Sequence, residues 1–267
     1  MNNLHRQFQG KILNFYSNNK RNFSWRETTD PYKILVSEIM LQQTQTQRVI
    51  TKYEEFLKTF PTLETLAQSS TQILLTAWQG LGYNRRALYL KKIAEIVMHE
   101  YNGILPKSSN ELLKLPGIGK NTAGSIMAFA YNAPSVFIET NIRRVFIHEF
   151  FYDKTDIHDT EILTLIKQTL PRENIREWYY ALMDYGAYIA KQVPNPNRKS
   201  RHYTKQSKFE GSLRQIRGKI LKILIEKPQK TVHLFHLLNS PHTENAVKQL
   251  LSEGFIEEEN GYLSIPY

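Results

Sequence analysis

Apolar residues recur every three or four positions along most of the chain, a spacing that predicts amphipathic helices. The first such stretch, LHRQFQGKILNF, covers residues 4–15. Asp30 followed by Pro31 predicts the start of another helix, because aspartate caps free amides and proline is tolerated in the first turn. Further helical patterns cover about 46–60, 71–79, 84–101, 119–131, 141–151, 158–169 and 174–190. Residues 1–192 are therefore predicted to form an all-α domain.

The pattern changes after residue 192. Residues 193–212 are basic, contain prolines and are poor in aliphatic side chains, which predicts a linker. Beyond them, 213–253 contain three short helical patterns. Phe255-Ile256 and Tyr262-Leu263-Ser264-Ile265 lie on either side of EEENG and predict a small hairpin. These elements indicate a winged-helix-like domain over 213–267, with a helical bundle and an irregular tail as the alternative.

Charge narrows the class of partner. The chain has 267 residues, with 35 Lys and Arg against 25 Asp and Glu, a formal net charge of +10. Such an excess favours a polyanionic partner, nucleic acid first. The stretch from Lys191 to Lys208 contains six basic residues and no acidic one.

Features that the sequence lacks exclude several classes of protein and of metal site. The sequence contains no cysteine, which excludes disulfides, thiolate zinc sites, cysteine nucleophiles and cysteine-ligated iron–sulfur clusters. No apolar run approaches the roughly 18 residues of a membrane helix, and the N-terminus lacks the apolar core of a signal peptide. The eight histidines show no metal-ligand spacing. We therefore expect a metal-free, monomeric protein of the cytoplasm, associated with the nucleoid and not with a membrane.

A short glycine-containing turn offers a candidate phosphate site. Gly117 and Gly119 lie in LPGIGK, between a helical pattern ending near Lys114 and one beginning near Asn121. Backbone N–H groups at a helix N-terminus bind anions, and a phosphodiester fits such a turn. With the preceding Leu-Pro and the following Thr122-Ala, the segment resembles the helix–hairpin–helix element of a DNA-repair glycosylase superfamily.

Further segments in the same order extend this resemblance. They are Trp25-Arg26, Asp30-Pro31-Tyr32, VSEIMLQQTQ at 36–45, GLGY at 80–83, 115–123, Asn141 with Arg143-Arg144-Val145, and MDYGA at 183–187. The series resembles the catalytic domain of adenine DNA glycosylases of the MutY type, which remove adenine mispaired with 8-oxoguanine. The resemblance implies a mainly α, helix–hairpin–helix glycosylase fold.

The resemblance also assigns expected roles. Trp25, Arg26 and Asp184 match positions of the base pocket. Gln43, Leu81 and Tyr83 match positions that wedge into the duplex or contact the opposite base, with turn packing as the alternative for Leu81 and Tyr83. The DNA-contacting positions are Gln43, Thr44, Leu81, Tyr83, Gly117, Gly119, Asn121 and Thr122.

Two carboxylates are candidates for the chemistry. Glu38 lies among apolar residues, where desolvation would raise its pKa and keep it protonated to donate to the base. Glu139 precedes Asn141, a third expected catalytic residue, by two positions, where the family carries an aspartate that stabilises the developing sugar cation. The dipole of the following helix would favour an ionised Glu139. Helix capping without chemistry is the alternative for Glu139.

Three departures from the family shape the expected activity. Asn121 occupies the position at which bifunctional relatives carry a nucleophilic lysine, so we expect base removal without strand cleavage. Arg198, Lys199 and Arg201 lie where many members carry a four-cysteine iron–sulfur cluster, and they are expected to contact phosphates instead. The C-terminal residues are too few and too helical for the Nudix-like domain that reads 8-oxoguanine.

Together these features predict a monofunctional DNA glycosylase that excises adenine opposite 8-oxoguanine or guanine and needs no cofactor. Its expected partner is double-stranded DNA containing a mispair or lesion. A glycosylase for mismatched thymine, uracil or hypoxanthine is the first alternative. A non-catalytic DNA-binding protein on the same fold is the second.

Overall fold

The computed structural model describes residues 3–205 and 208–266, which form two compact units. Unit 1 combines Met1–Glu38 with Pro106–Lys205, and unit 2 combines Ile39–Leu105 with Gln206–Tyr267. These boundaries differ from those at 192 and 212 expected from composition, so the predicted domain limits stay a prediction. Positions 206 and 207 of the predicted linker lie outside the described residues.

Helices account for most of the described chain, as the apolar spacing predicts. In chain order they are α1 Asn3–Asn19, α2 Pro31–Leu41, α3 Thr46–Thr59, α4 Leu63–Ala67, α5 Thr71–Trp78, α6 Arg85–Glu100, α7 Ser109–Leu112, α8 Lys120–Tyr131, α9 Thr140–Phe150, α10 Asp159–Thr169, α11 Ile175–Gln192, α12 Leu213–Glu226, α13 Thr231–Leu238 and α14 Thr243–Ser252. Single 3₁₀ turns cover Ser24–Arg26 and Pro196–Lys199.

Unit 1 is built around the packing of α11 against α9 and α1. Phe8 of α1 contacts Phe146 and Trp178 with ring centroids 5.3 and 5.8 Å apart. The closest approach of α11 to α9 is at Gly186, where an added Cβ would lie only 2.4 Å from the carbonyl oxygen of Asn141. Glycine is therefore required at this contact, which fixes the start of α9.

Part of the predicted linker belongs to unit 1. Asn197 is 4% exposed, and its Nδ2 donates to the carbonyl oxygen of Thr140 at 3.0 Å. Ser200 forms a parallel bridge with Ile157. This portion of 193–212 therefore packs on unit 1 through polar residues that look solvated in sequence, while the predicted basic linker as a whole stays a prediction.

In unit 2, α12 packs against α5 and α14, and a three-stranded antiparallel sheet completes the C-terminal end. The strands are β1 Gln229–Lys230, β2 Glu257–Glu259 and β3 Tyr262–Ser264, in the order β1-β3-β2, with Glu258 opposite Leu263. Asn260 and Gly261 have φ values of 52° and 76°, as a two-residue hairpin turn requires.

The predicted hairpin is confirmed and its second strand lies where predicted, but its first strand is displaced and a third strand was missed. Phe255 and Ile256 are buried core residues that precede β2 instead of forming it. Strand β1 has only two residues, too few for an alternating pattern. Residues 208–266 contain, in order, a helix, a strand, two helices and two strands. The assignment of a winged-helix-like domain to this region stays a prediction.

Among the residues the structure describes, none of the helices is both long and apolar enough to cross a membrane. Within the same ranges, His, Asp and Glu side chains do not form a group of three or more with metal-site geometry.

Candidate active site

Glu38 is the central acidic residue of unit 1. The helix that carries it begins as predicted, with the amide of Tyr32 donating to Oδ1 of Asp30 at 2.9 Å. Glu38 is half-buried between fully buried neighbours, and burial raises its pKa to about 7. The charge of Glu139 also raises this pKa, whereas a hydrogen bond from Ser125 and the charge of Arg26 lower it.

Glu139 caps the N-terminus of α9. Its Oε1 accepts hydrogen bonds from the amides of Asn141 and Ile142, both at 2.8 Å, and its Oε2 accepts from Nδ2 of Asn141 at 3.4 Å. Burial raises the pKa of Glu139, while these amides and the charges of Arg144 and Arg143 lower it, and the result stays above the ordinary value.

The amides at the start of α9 lower the pKa of Glu139, in the direction expected of the helix dipole, but burial raises it more. Burial outweighs the helix N-terminus, and the extent of burial depends on contacts distant in sequence. The capping alternative describes the hydrogen bonds, yet the same carboxylate raises the pKa of Glu38. Capping and electrostatic coupling thus coexist in Glu139.

Asn141 is held by Arg144, which was not among the predicted site residues. Nη1 of Arg144 donates to Oδ1 of Asn141 at 2.6 Å and to the carbonyl oxygen of Gly186 at 2.9 Å. Ser125 was also missed, and its hydroxyl donates to the carbonyl oxygen of Thr122 at 3.0 Å. Arg144 lies inside one of the segments that carry the family resemblance, and Ser125 lies just after another. This proximity is the sequence signal that could have indicated them.

The predicted base-pocket residues come together in unit 1. Arg26 forms a bidentate ion pair with Asp184 at 2.8 and 2.9 Å, and Arg21 adds a further bond at 2.6 Å. The guanidinium of Arg26 lies 4.5 Å from the ring of Tyr180. Because its carboxylate is surrounded by arginine donors, Asp184 orients Arg26.

Aromatic rings extend this cluster. The rings of Phe23 and Trp25 stack with centroids 4.7 Å apart, and Phe23 also lies 5.0 Å from the guanidinium of Arg26. Trp25 is buried, with 5% of its surface exposed. Stacked aromatic and guanidinium planes of this kind suit a flat heteroaromatic ligand.

The glycine turn ahead of α8 is exposed, and its two glycines differ. Gly117 has a φ of 75°, a left-handed conformation that favours glycine. Gly119 has a φ of −93° and open space around it, so backbone strain does not require glycine there. Asn121, predicted to contact DNA, also accepts from the amide of Ile138 at 3.2 Å and so anchors the segment before Glu139.

Unit 2 holds four predicted DNA-contacting residues on two turns joined by Arg86: Gln43, Thr44, Leu81 and Tyr83. Gln43 and Tyr83 have φ values of 53° and 47°, unusual for non-glycine residues. Thr44 links the turns through its hydroxyl, which lies 3.3 Å from the carbonyl oxygen of Leu81 and 2.9 Å from Nη2 of Arg86. The guanidinium of Arg86 also donates to the carbonyl oxygens of Ile39, Met40, Gln42, Leu81 and Gly82 at 2.5–3.3 Å.

Gln43, Tyr83 and Leu81 differ in side-chain exposure, and this difference bears on which of them can contact DNA. Gln43 is exposed and Tyr83 is half-buried, whereas Leu81 is only 3% exposed. The structure thus agrees with turn packing for Leu81, and a wedge role would require this turn to open. Arg86 was missed because its partners are backbone carbonyls up to 47 positions away.

The basic stretch is partly occupied by contacts within unit 1. Nζ of Lys199 donates to the carbonyl oxygen of Tyr152 at 2.5 Å, and Arg201 contacts the ring nitrogen of His158 at 2.7 Å. Arg198 is exposed. A four-cysteine cluster does not fit this region, because the sequence has no thiolate ligand.

Comparison with known proteins identifies the family. Residues 36–172 match the profile of the HhH-GPD superfamily of base excision DNA repair proteins, and the chain belongs to this family. Within it, the chain is 41% identical over 187 residues to an adenine DNA glycosylase of Buchnera aphidicola subsp. Baizongia pistaciae, covering 68% of this chain and 52% of that protein. The chain thus spans about half the length of that relative.

Other relatives are matched over more of their length. An adenine DNA glycosylase of Mycobacterium tuberculosis is 30% identical, with 92% of this chain and 88% of that protein covered. A thymine/uracil-DNA glycosylase of Methanothermobacter thermautotrophicus is also 30% identical, with 68% and 84% covered. The predicted resemblance to adenine DNA glycosylases is confirmed, and a relative of different specificity is similar as well.

Solved structures agree on the fold. A thermostable thymine-DNA glycosylase aligns with a TM-score of 0.63 at 28% identity, covering 69% of this chain and 86% of that one. A trapped endonuclease III–DNA covalent intermediate aligns with a TM-score of 0.60 at 19% identity, covering 70% and 88%. The predicted helix–hairpin–helix glycosylase fold is confirmed.

Proposed function

We propose that this protein is a DNA glycosylase that hydrolyses the N-glycosidic bond of adenine mispaired with 8-oxoguanine or guanine. The observation that carries the proposal is the half-buried Glu38, whose pKa is raised to about 7 and is coupled to the charge of Glu139. A carboxylic acid that is still protonated near neutral pH suits protonation of a leaving base. The similarity to adenine DNA glycosylases supports adenine as that base.

In the proposed reaction, protonated Glu38 donates its proton to a ring nitrogen of adenine as the C1′–N bond breaks. The sugar becomes an oxocarbenium ion, which the negative charge of Glu139 stabilises. Glu38, now ionised, accepts a proton from the water that attacks C1′, so the acid is regenerated. Asn141 and Arg144 orient Glu139 and the start of α9 during these steps.

Duplex DNA is the proposed partner, bound by the protein as a monomer. The exposed turn at Gly117 and Gly119 supplies a helix N-terminus for a phosphate. Gln43 and Tyr83 are proposed to face the mispair, and Arg198, Lys199 and Arg201 to neutralise phosphates. The chain is proposed to work without an iron–sulfur cluster, since it has no cysteine ligand.

The proposed product is an intact strand with an abasic site. Asn121 has no amine, and its Oδ1 is engaged with the amide of Ile138, so it does not form a Schiff base with C1′. Borohydride added during turnover should therefore trap no covalent protein–DNA adduct above background. An adduct that disappears in Lys120→Ala would contradict this assignment.

A second candidate is excision of a mismatched thymine or uracil. It is favoured by the thymine/uracil-DNA glycosylase from Methanothermobacter thermautotrophicus, of whose length the chain matches 84%. The site chemistry described above does not distinguish the two, because both reactions break the same kind of bond.

A panel of duplexes, each with one mispair, tests the proposal. Hot alkali cleaves a strand wherever a base has been removed, so the cleaved duplex identifies the target. We expect cleavage for adenine opposite 8-oxoguanine or guanine, and none for matched adenine opposite thymine. Cleavage at thymine or uracil instead would support the second candidate. Duplexes that all bind but stay intact would identify a non-catalytic DNA-binding protein.

A further inference from the structure

Tyr83, on the turn expected to face the mispair, is held by a residue of the C-terminal region. Nη1 of Arg214 donates to the hydroxyl oxygen of Tyr83 at 2.6 Å. The same guanidinium lies 5.4 Å from the ring of Tyr83 and 5.4 Å from the ring of Phe209. Because arginine carries only donors, the direction of this hydrogen bond is fixed. Arg214 therefore sets the position of the Tyr83 hydroxyl.

The start of α12 determines where Arg214 points. Ser212 caps this helix, its hydroxyl accepting from the amide of Gln215 at 3.3 Å. The side chain of Gln215 returns to accept from the amide of Gly211 at 2.8 Å. A helix start with reciprocal bonds of this kind is well defined, so the first-turn residue Arg214 leaves it in a set direction.

Contacts within unit 2 fix α12 relative to the turn. Glu253 forms ion pairs with Arg85 at 2.5 Å and with Arg217 at 2.6 Å, which joins α6 to α12. At the other end, Nε2 of Gln72 donates to the carbonyl oxygen of Ile225 at 3.0 Å. Tyr83 is therefore held from two sides, by Arg214 at its hydroxyl and by Arg86 at its backbone.

The acidic strand of the C-terminal hairpin disfavours phosphate contacts by that hairpin. The strand β2 consists of Glu257, Glu258 and Glu259, all exposed, in the hairpin that would form a wing. Glu244 lies in the first turn of α14. Exposed carboxylates repel a phosphate backbone. The winged-helix-like region thus needs a role other than gripping the duplex by this hairpin.

We propose that Arg214 is a positioning residue through which the C-terminal region sets Tyr83 to discriminate mispaired from matched DNA. The proposal rests on the proposed function, since it assumes that the turn carrying Tyr83 meets the mispair. It assigns residues 208–266 to recognition of the target pair through Tyr83, without a base contact of their own.

Selectivity in binding provides a readout separate from catalysis. We would measure Kd for a duplex with one adenine opposite 8-oxoguanine and for the same duplex with adenine opposite thymine. The selectivity is the Kd for the matched duplex divided by the Kd for the mispaired duplex. Arg214→Met should lower this ratio about tenfold, the size expected for losing one hydrogen bond from a charged donor. Tyr83→Phe should have the same effect, and the double variant should be no worse than either single one.

Two further variants separate positioning from charge and stability. Lys219→Met removes one positive charge from an exposed site on the same helix, and it should keep the parent ratio. Arg214→Lys retains a donor and should recover part of the selectivity. Melting temperatures establish that each variant is folded, and if Arg214→Met does not fold, Tyr83→Phe removes the same hydrogen bond from the other partner.

The outcomes distinguish this proposal from the proposed function. A selective parent with an equally selective Arg214→Met or Tyr83→Phe variant overturns the role of Arg214 alone. Independent losses that multiply in the double variant also overturn it, because they mean that the two residues act separately. A parent that neither prefers nor excises any mispair overturns both proposals.

Discussion

Replacing Glu139 by glutamine removes one negative charge and nearly preserves the shape of the side chain. In the structure, Oε1 of Glu139 accepts from the amides of Asn141 and Ile142, and a glutamine carbonyl oxygen can accept both hydrogen bonds. We therefore expect α9 to keep its cap. A loss of about 1 kcal/mol at this cap would lower the melting temperature of a protein of this size by about 2–4 °C.

The effect on rate should be much larger. A carboxylate about 4 Å from a full positive charge contributes about 4 kcal/mol at an effective dielectric constant near 20. Losing that energy from the transition state alone slows base release by about 10³. The charge of Glu139 also raises the pKa of Glu38, so its removal should bring that pKa below about 7.

Single-turnover rates on one adenine mispair, measured between about pH 5 and pH 9, test both effects. Because Glu38 acts in its protonated form, the parent rate should fall as pH rises through about 7. In Glu139→Gln the residual rate should begin to fall at lower pH. Glu139→Asp keeps the charge about 1 Å further away, which costs about 0.8 kcal/mol or roughly fourfold in rate.

A Glu139→Gln variant that is as fast as the parent, with the same pH profile, would remove Glu139 from the mechanism. A Glu139→Asp variant faster than the parent would show that the longer side chain hinders the reaction, contrary to a pocket adapted to glutamate. Unchanged duplex affinity in both variants is the control that places the effect in the chemical step.

Two further predictions concern packing and charge. Gly186→Ala places a Cβ 2.4 Å from a carbonyl oxygen of α9, so it should destabilise the fold by about 1–3 kcal/mol and slow base release. The control Gly218→Ala adds a Cβ in open space within α12 and should stabilise the fold by about 0.5–1 kcal/mol. Thermal unfolding compares the two variants, and equal melting temperatures would contradict the packing argument. Neutralising Arg198, Lys199 and Arg201 together should flatten the salt dependence of log Kd by about 2–3. An unchanged slope would mean that these residues serve only the contacts seen within unit 1.

The helical part of the fold is predictable because its signals are local. Apolar spacing placed most long helices to within two residues, and Asp30-Pro31 marked the start of α2. Short elements such as α4 and β1 were not predicted, because five and two residues are too few to show a periodic pattern. The packing of Asn197 against α9 escaped because asparagine and proline residues are typical of loops and of buried turns alike.

The sequence indicated the acidic residues of the site, but not the arginines that hold the neighbouring segments in place. The apolar neighbours of Glu38 indicated a raised pKa, which the structure reproduces. Arg86 and Arg144 did not stand out, because their partners are carbonyl and amide groups brought close only by the tertiary fold. The net rise in the pKa of Glu139 did not stand out for a related reason, since burial is set by residues far away in the sequence.

In the proposed reaction, Glu38 is the general acid that protonates the leaving base. The most direct measurement is the single-turnover release of adenine opposite 8-oxoguanine by the parent and by Glu38→Gln, with duplex affinity measured for both. We expect release by the parent at a rate that falls as pH rises through about 7, and a rate at least about 10³ lower in the variant at equal affinity. Equal rates in the two proteins would contradict this role of Glu38.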